Sequence, residues 1–212
     1  MNRTDMIIDF ESFGQDATKC APIDMSVIVY NQKDFLNDPF TYKSALENVK
    51  TFKFDVKELK EKYDCVIEQN TLDFWKSQPK EVRQRIKPSE DDLSVKEFAS
   101  QFIKYLKNQP KIEHWWSRSN AFDPVILWRL MDYAEKKHIM SEYLLFWRMN
   151  DIRTFIRAKL DFPKINSFIP VKDEKYWNET HMSHMSNHDV VAELLRLQAI
   201  ARIENDLDML ER

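Results

Sequence analysis

The segment Met6-Ile7-Ile8-Asp9-Phe10-Glu11 decides the fold of this chain, because it is an apolar run that ends on two carboxylates. A β-strand sends alternate side chains to the same face, so Asp9 and Glu11 point in the same direction. Two carboxylates held this close in an apolar setting stay ionised together only when a cation sits between them. Oxygen ligands of this kind suit Mg²⁺ or Mn²⁺. The segment therefore predicts a strand that carries a divalent-metal site.

The composition provides enough apolar residues for a buried core. The chain has 212 residues, of which 43% are hydrophobic and 13% aromatic, and this supports one domain. No run reaches the ~18 to 20 apolar residues of a membrane span, and the N-terminus lacks the features of a signal peptide. We therefore expect no membrane partner and a cytoplasmic location. Cys20 and Cys65 fit no metal-ligand spacing and are expected to be reduced thiols.

Glycine is nearly absent, since Gly14 is the only one in the sequence. Glycine-rich phosphate-binding loops need several positions without a Cβ, so folds that depend on them are excluded. Gly14 itself is expected at a turn with positive φ. The formal net charge of −3 argues mildly against nucleic-acid binding. Two divalent cations add +4 and bring the total to +1, so part of the acidic balance can belong to a metal site.

The pattern of apolar residues predicts an α/β fold with a mixed β-sheet. Strands are expected over residues 5–10, 24–30, 40–46, 111–117 and 143–148. Helices are expected over residues 55–63, 72–76 (capped by Thr71), 79–86 (Pro79 at N1), 94–106 (capping box Ser94 and Glu97), 122–137, 151–160 and 188–210. Residues 161–180 are expected to be irregular. We interpret residues 1–212 as one domain with a helical insertion around 50–92.

Two further motifs carry polar side chains, Asn120-Ala121-Phe122-Asp123 and His184-Met185-Ser186-Asn187-His188-Asp189. Taken singly, none of the three motifs is strong evidence for a site. Asp-x-Glu in the first strand and His-x₄-Asp in the last motif occur by chance, and Asn120 or Asp123 could cap a helix. Their placement is more informative. One motif ends the first strand, one begins a middle helix and one begins the last helix, and such ends can converge at one edge of a sheet.

Together the motifs 8–12, 120–123 and 184–189 resemble those of the DEDDh 3′→5′ exonucleases, the DnaQ-like family, which has a ribonuclease-H-like fold. The resemblance runs from residue 5 to about residue 200. Within the family it points to exonuclease A of T-even bacteriophages, which has segments similar to residues 71–78 and 151–154. The resemblance implies a ribonuclease-H-like mixed β-sheet flanked by helices. A phage-encoded protein would act in the cytoplasm of the host cell.

The resemblance also implies the roles of the site residues. Two Mg²⁺ or Mn²⁺ ions would be held by four carboxylates. Asp9 would bridge both ions, Glu11 and Asp189 would complete the first, and Asp123 would serve the second. His184 would be the general base, because an imidazole with a pKa near ~6.5 accepts a proton at neutral pH. Two ions ~3.5–4 Å apart would stabilise the entering and leaving oxygens, with a nucleoside 5′-monophosphate as the product.

Candidate substrate-binding residues are Ser12, Phe13, Asn120 and Trp75. Backbone groups of residues 11–13 could reach the terminal sugar, and Phe13 or Trp75 could stack on a base. Packing is the alternative for Trp75, and it is favoured for Phe74. Asn120 could instead bond the strand or cap its helix.

Several polar residues near these motifs have less definite roles. His181 and His188 are expected to be solvated, with a Zn²⁺ cluster of histidines as the alternative. Asp151 is expected to cap a helix or support the site. For Arg153 and Arg157 a solvated helix face is favoured over phosphate contacts.

The leading hypothesis is a metal-dependent exonuclease that shortens single-stranded DNA from its 3′ end. A first alternative is an exoribonuclease that trims short RNA, since the sequence does not show how a 2′-hydroxyl would be treated. A second is a non-catalytic binding module or a proofreading partner of a polymerase. All five catalytic positions are filled, which disfavours a decayed site. The sequence indicates no particular protein partner.

Overall fold

A computed structural model describes residues 3–160 and 181–205 of the chain. Its five-stranded sheet has the order β3-β2-β1-β4-β5. The strands are β1 (Thr4–Ser12), β2 (Pro22–Asn31), β3 (Lys50–Lys53), β4 (His114–Ser117) and β5 (Met149–Asp151). β1, β2 and β3 pair in antiparallel fashion, whereas β4 is parallel to β1 and β5 is parallel to β4. The predicted mixed sheet is confirmed.

Helices flank this sheet. They are α1 (Asp34–Asn37), α2 (Tyr42–Glu47), α3 (Val56–Tyr63), α4 (Gln69–Ser77), α5 (Lys80–Arg85), α6 (Val95–Lys107), α7 (Asp123–Tyr133), α8 (Lys137–Tyr143), α9 (Ile152–Leu160) and α10 (Ser186–Ile203). A 3₁₀ turn, Phe146–Arg148, precedes β5. Among the described residues, no helix has the length and apolar character that crossing a membrane requires.

The two faces of β1 belong to two different hydrophobic cores. Met6, Ile8 and Phe10 pack into the core that α6 and α7 cover. Ile7 points the other way, into the core that contains α10. Because side chains alternate along a strand, Asp9 and Glu11 lie on the Ile7 face. This parity turns both carboxylates toward α10, and the prediction that they share one face is confirmed.

Two of the predicted strands are wrong. Residues 42–47 form helix α2, which begins with a reciprocal capping box between Thr41 and Ser44, and the third strand is Lys50–Lys53. Residues 143–148 end α8 and form the 3₁₀ turn, where Phe146 and Trp147 are 67% and 65% exposed. Short apolar runs do not show a period long enough to separate helix from strand. Since residues 50–53 belong to the sheet, the helical part of the predicted insertion begins at Val56. The single-domain interpretation stays a prediction.

Element boundaries differ from the predictions at several turns. α7 ends at Tyr133 because Glu135 adopts a positive φ of 57°, and α8 starts afterwards. Thr71 lies inside α4, and Pro79 is the N-cap of α5 instead of its first residue. The predicted strand 111–117 begins only at His114. The predicted capping box at the start of α6 is confirmed.

Two predictions at the chain's C-terminal side concern residues that are only partly described. The last helix begins at Ser186, two residues before the predicted start. The predicted irregular segment 161–180 and the helix end after residue 205 lie outside the described residues.

Gly14 is required by close packing and not by a turn. Its φ is not positive, so the predicted reason for glycine is wrong. A Cβ at this position would lie 2.9 Å from Cβ of Cys20 and 2.9 Å from Oε1 of Glu68. Both approaches are too short for a real side chain, so the loop after β1 needs glycine to pack beside α4. Cys20 and Cys65 are buried free thiols, as predicted.

Candidate active site

Three carboxylates meet at the carboxyl end of β1. Asp9, Glu11 and Asp189 each offer one oxygen atom that lies within 4.8 Å of the other two. β1 turns the first two toward α10, and Asp189 lies in the first turn of that helix. The packing of α10 on the sheet therefore brings Asp189 to two side chains that are 178 and 180 residues earlier in the chain.

Asp123 joins this group from the other side of β1. It is the first residue of α7 and is buried. Its Oδ1 accepts a hydrogen bond of 3.1 Å from the backbone N–H of Phe10, which lies between the two acidic residues of β1. Asp123 lies outside the group of three oxygens that are mutually within 4.8 Å, but its charge acts on Asp9. The four acidic residues singled out from the sequence thus converge on one end of β1.

Removal from water and mutual repulsion raise the pKa of all four carboxyl groups. Burial is the largest cause for Asp9 and Glu11, whose pKa values lie well above the usual range, and nearby carboxylates add to it. Burial also raises the pKa of Asp123 to about 7 and that of Asp189 to about 6. A side-chain hydrogen bond between Glu11 and Asp189 raises the pKa of Glu11 and lowers that of Asp189. Divalent cations would supply the missing positive charge, so hard oxygen-binding ions fit this donor set.

Without metal, the protein is expected to lose stability as the pH rises from about 4 to about 8, and Mg²⁺ or Mn²⁺ is expected to restore it. Raised pKa values mean that the folded protein still holds protons that the unfolded chain has released. Deprotonation at higher pH therefore destabilises the fold. Unfolding temperatures with EDTA and with metal at about pH 5.5 and pH 8 measure the effect. A metal-induced increase that is no larger at the higher pH would contradict the prediction, and Asp9→Asn should reduce the increase.

His184 lies beside these carboxylates, just before α10. Its backbone N–H donates a hydrogen bond to Asp189, and its own φ is 64°, in the left-handed region. Its ring packs edge-on against Phe74 and Trp75, at centroid distances of 4.8 Å and 6.3 Å. Partial burial lowers the pKa of His184 below its usual value, which keeps the imidazole neutral. A neutral imidazole of this kind can accept a proton.

The other two histidines of the segment face away from the carboxylates. The Tyr42 hydroxyl hydrogen-bonds to Nδ1 of His188 at 2.7 Å and to Nδ1 of His181 at 3.2 Å. His188 is buried, and burial lowers its pKa to about 4, so the expectation of a solvated residue is wrong there. His181 is half-buried. Within the described residues, the grouping of ligand atoms close enough for a metal is the carboxylate trio, which gives a histidine zinc cluster no support.

A cleft of about 530 Å³ opens over the carboxylates, a size typical of sites for small ligands. Asp9, Glu11 and Asp123 line it. The remaining lining residues are Phe10, Ser12, Gly14, Gln15, Asn70, Thr71, Phe74, Trp75, Arg118, Ser119, Phe122 and Arg153.

Of the aromatic residues near the cleft, the two predicted to contact substrate are buried, and their neighbour Phe74 is exposed. Trp75 is only 2% exposed, and its Nε1 donates a 3.0 Å hydrogen bond to the carbonyl of Ser12, so it ties α4 to β1. Phe13 is buried, packs edge-on against Trp75 and does not line the cleft, so its predicted stacking role is not supported. Phe74, for which packing was favoured, is 39% exposed at the cleft. Ser12 lines the cleft, and its hydroxyl donates to the Gly14 carbonyl at 2.7 Å.

Asn120 supports the loop after β4 and does not line the cleft. Its side chain accepts a hydrogen bond from Ser117 at 3.1 Å, and its backbone N–H donates to Asp151 at 3.2 Å. It therefore bonds the strand and does not cap α7, whose N-cap is Phe122. Asp151 also accepts the N–H of Thr154 at 2.7 Å, which makes it the predicted cap of α9.

Sequence reasoning missed the contacts that orient the start of α10. Ser186 donates to Oδ1 of Asp24 at 2.6 Å, and Arg85 donates to Oδ2 of the same residue at 3.0 Å. Arg85 also reaches Asn187, at 2.7 Å. Because Asp189 lies in the same first turn of α10, these bonds set its position. No local pattern marks the three partners, since they come from β2, α5 and α10.

Comparisons with known proteins agree with this geometry. The sequence model of the Rv2179c-like family, described as the 3′-5′ exoribonuclease Rv2179c-like domain, matches residues 4–197. An exodeoxyribonuclease of Enterobacteria phage T4 is 29% identical over 217 aligned residues, which cover 96% of this chain and 92% of that protein.

Solved structures of E. coli exonuclease I are similar in fold. The zinc-bound complex with single-stranded DNA has a TM-score of 0.56 at 15% identity, over 97% of this chain and 41% of that one. The complex with a dT13 oligonucleotide has a TM-score of 0.53 at 16% identity, over 95% and 40%. This chain spans about two fifths of the length of those structures, and the similarity shows the ribonuclease-H-like fold. Since the family model matches most of its length, the chain belongs to the Rv2179c-like 3′-5′ exoribonuclease domain family and is a 3′-5′ exonuclease.

Proposed function

We propose that this chain removes nucleoside 5′-monophosphates from the 3′ end of single-stranded DNA, with two Mg²⁺ or Mn²⁺ ions as cofactors. The observation that carries the proposal is the group of four carboxyl groups with raised pKa values at one end of β1, beside an open cleft. Such a group ionises fully only with cations. The T4 relative is named an exodeoxyribonuclease, and the similar exonuclease I structures contain single-stranded DNA, which favours DNA as the substrate.

Different carboxylates would bind the two ions. Asp9, Glu11 and Asp189 fit a first ion, and Asp9 with Asp123 fits a second on the α7 side. When bound, the two ions activate the attacking water and stabilise the charge that develops on the phosphate. The chain's own part is to hold the four carboxylates rigidly on β1, α7 and α10, so that the scissile phosphate is placed at the floor of the cleft.

His184 takes the proton from the attacking water. Its ring is held by Phe74 and Trp75, and its lowered pKa keeps it in the accepting form at neutral pH. Part of the residue stays accessible to solvent, so the proton can pass on to bulk water afterwards.

Phe74 provides the surface on which the 3′-terminal base stacks. It is the aromatic side chain of the cleft with substantial exposure among the described residues, and it also touches His184. An unpaired base can reach such a surface, whereas a base inside a duplex cannot. This requirement supports a single-stranded substrate.

Phe74→Ala and Trp75→Ala are expected to change different properties, the first substrate binding and the second stability. Loss of Phe74 should weaken oligonucleotide binding by about tenfold, because stacking contributes ~1–3 kcal/mol per base, and should change stability little. Loss of Trp75 should lower the free energy of unfolding by about 3–5 kcal/mol, because it empties a buried site and removes the bond to Ser12. Fluorescence anisotropy and urea unfolding measure the two effects.

Each of these two variants is the control for the other, because the residues are adjacent but differ in exposure. Normal binding by Phe74→Ala, together with a folded Trp75→Ala protein that binds poorly, would assign stacking to Trp75 instead.

RNA is the second candidate substrate, because the matching family is described by its exoribonuclease activity. The deciding experiment uses 5′-labelled DNA and RNA oligonucleotides of the same sequence, each with Mg²⁺ and with Mn²⁺. The proposal expects a ladder that shortens from the 3′ side, with faster release from DNA. Faster release from RNA would show that RNA, and not DNA, is the preferred substrate. If no nucleotide is released from either oligonucleotide, the nuclease proposal is refuted. A binding module or a polymerase partner is then the better interpretation.

A further inference from the structure

The cleft has a cationic side and an aromatic side. Arg118, directly after β4, and Arg153, near the start of α9 after β5, form the cationic side. Phe74 of α4 forms the aromatic side, and α4 is tied to the end of β1 by the bond between Trp75 and Ser12. Both β4 and β5 lie on the same side of β1 in the sheet. The carboxylates of Asp9, Glu11 and Asp123 line the same cleft.

Arg118 is held by a buried carboxylate. Glu193 lies one helical turn after Asp189 on α10 and is 3% exposed. Its Oε1 accepts hydrogen bonds from Arg118 and from Arg196, which is also buried. Hydrogen bonds between charged groups are stronger than those between neutral groups. Of these three residues, Arg118 is the one that lines the cleft.

Glu193 occupies an unfavourable position for a carboxylate. Its charge raises the pKa of Asp9, Asp123 and Asp189, and its Oε2 is buried without a hydrogen-bond partner in the described part of the chain. Filling space does not explain a charge here, because an apolar side chain would fill it at lower cost. The carboxylate does have one clear effect. Without it, a guanidinium so close to the acidic cluster would turn toward those carboxylates and compete with the metal ions.

We propose that Arg118 binds the substrate-strand phosphate immediately upstream of the scissile one, and that Glu193 is the positioning residue that presents it. The inference rests on the proposed nuclease function. With the terminal base on Phe74 and the scissile phosphate over the carboxylates, the strand continues onto the cationic side. A guanidinium matches a phosphate with two parallel hydrogen bonds. This local contact lets a chain with a net charge of −3 grip a polyanion.

Arg118→Met tests the proposal through binding and through two substrates. With Ca²⁺ to allow binding without turnover, the Kd for a labelled oligothymidylate should rise about tenfold, and the salt dependence should lose about one phosphate contact. With Mg²⁺ or Mn²⁺, KM for the oligonucleotide should rise by a similar factor while kcat changes less than about threefold. Thymidine 5′-p-nitrophenyl phosphate has no upstream phosphate, so its hydrolysis should be unchanged.

Matched variants separate this role from general effects of charge and folding. Arg118→Lys keeps the charge and should keep the salt dependence. Arg157→Met removes an exposed arginine from α9 that does not line the cleft, and should bind normally. Glu193→Gln should raise KM for the oligonucleotide, but should add nothing in the Arg118→Met background if it acts through Arg118. Unfolding temperatures confirm that each variant is folded.

Two results would overturn the proposal. One is an Arg118→Met protein with the Kd and salt dependence of the wild type. The other is an equal loss on the oligonucleotide and on the p-nitrophenyl ester, which would place Arg118 at the scissile phosphate. If the wild type releases no nucleotide at all, the nuclease function fails, while the anisotropy measurement still decides whether Arg118 binds the strand.

Discussion

Asp9→Ala is expected to lower nucleotide release by about 10³-fold or more. Asp9 interacts electrostatically with Glu11, Asp123 and Asp189, and it is the carboxylate that we propose serves both ions. Its loss removes several kcal/mol of the charge stabilisation that metal ions supply at a phosphate. Single-turnover release from a 5′-labelled DNA strand, with saturating Mg²⁺ or Mn²⁺, measures the loss.

The same variant should remain folded. Removal of a carboxylate from a crowded, partly buried group relieves repulsion, so the metal-free variant should unfold at or above the temperature of the wild type at about pH 8. Asp9→Asn, which keeps the shape, should behave in the same way. Asp91→Asn removes an exposed carboxylate that does not line the cleft, and should retain full activity. Persistent release by Asp9→Ala would refute the assignment of the site.

His184→Ala is expected to reduce turnover by about 10²–10⁴-fold, the usual contribution of a general base. Metal affinity should change little, because the imidazole is not part of the group of ligand oxygens. The measurement is the rate of nucleotide release at saturating metal, together with the metal-induced rise in unfolding temperature. His138→Ala, which alters an exposed histidine of α8, is the matched control.

The pH profile separates the imidazole from the carboxylates. Protonation of His184 removes the proton acceptor, and because burial lowers its pKa, this loss should begin below about pH 6.5. Protonation of the carboxyl groups instead displaces metal, so that part of the acid limb should move to lower pH as Mn²⁺ is increased. Undiminished turnover in His184→Ala would show that another group accepts the proton.

Some strands and site residues could be predicted from the sequence, and others could not. β1 and β2 are long, buried and patterned, so their residues indicate them without tertiary information. The predicted strands at 40–46 and 143–148 failed because short apolar runs fit either structure until packing selects one. Phe74 and Trp75 show the same limit within a helix. Neighbouring aromatic residues look equivalent in sequence, and the bond from Trp75 to the carbonyl of Ser12 decides which one is buried.

From the residues alone one can infer that Asp9 and Glu11 share a face, because alternation along a strand is a local property of the backbone. The order of the acidic motifs, compared with a known family, likewise indicated Asp123, His184 and Asp189. The contacts around these site residues depend on the tertiary structure. The pairing of Glu193 with Arg118, the exposure of Phe74 and the closeness of Gly14 to Cys20 depend on distances between separate elements. Those distances follow from how α4 and α10 pack on the sheet, and no pattern within either helix specifies them.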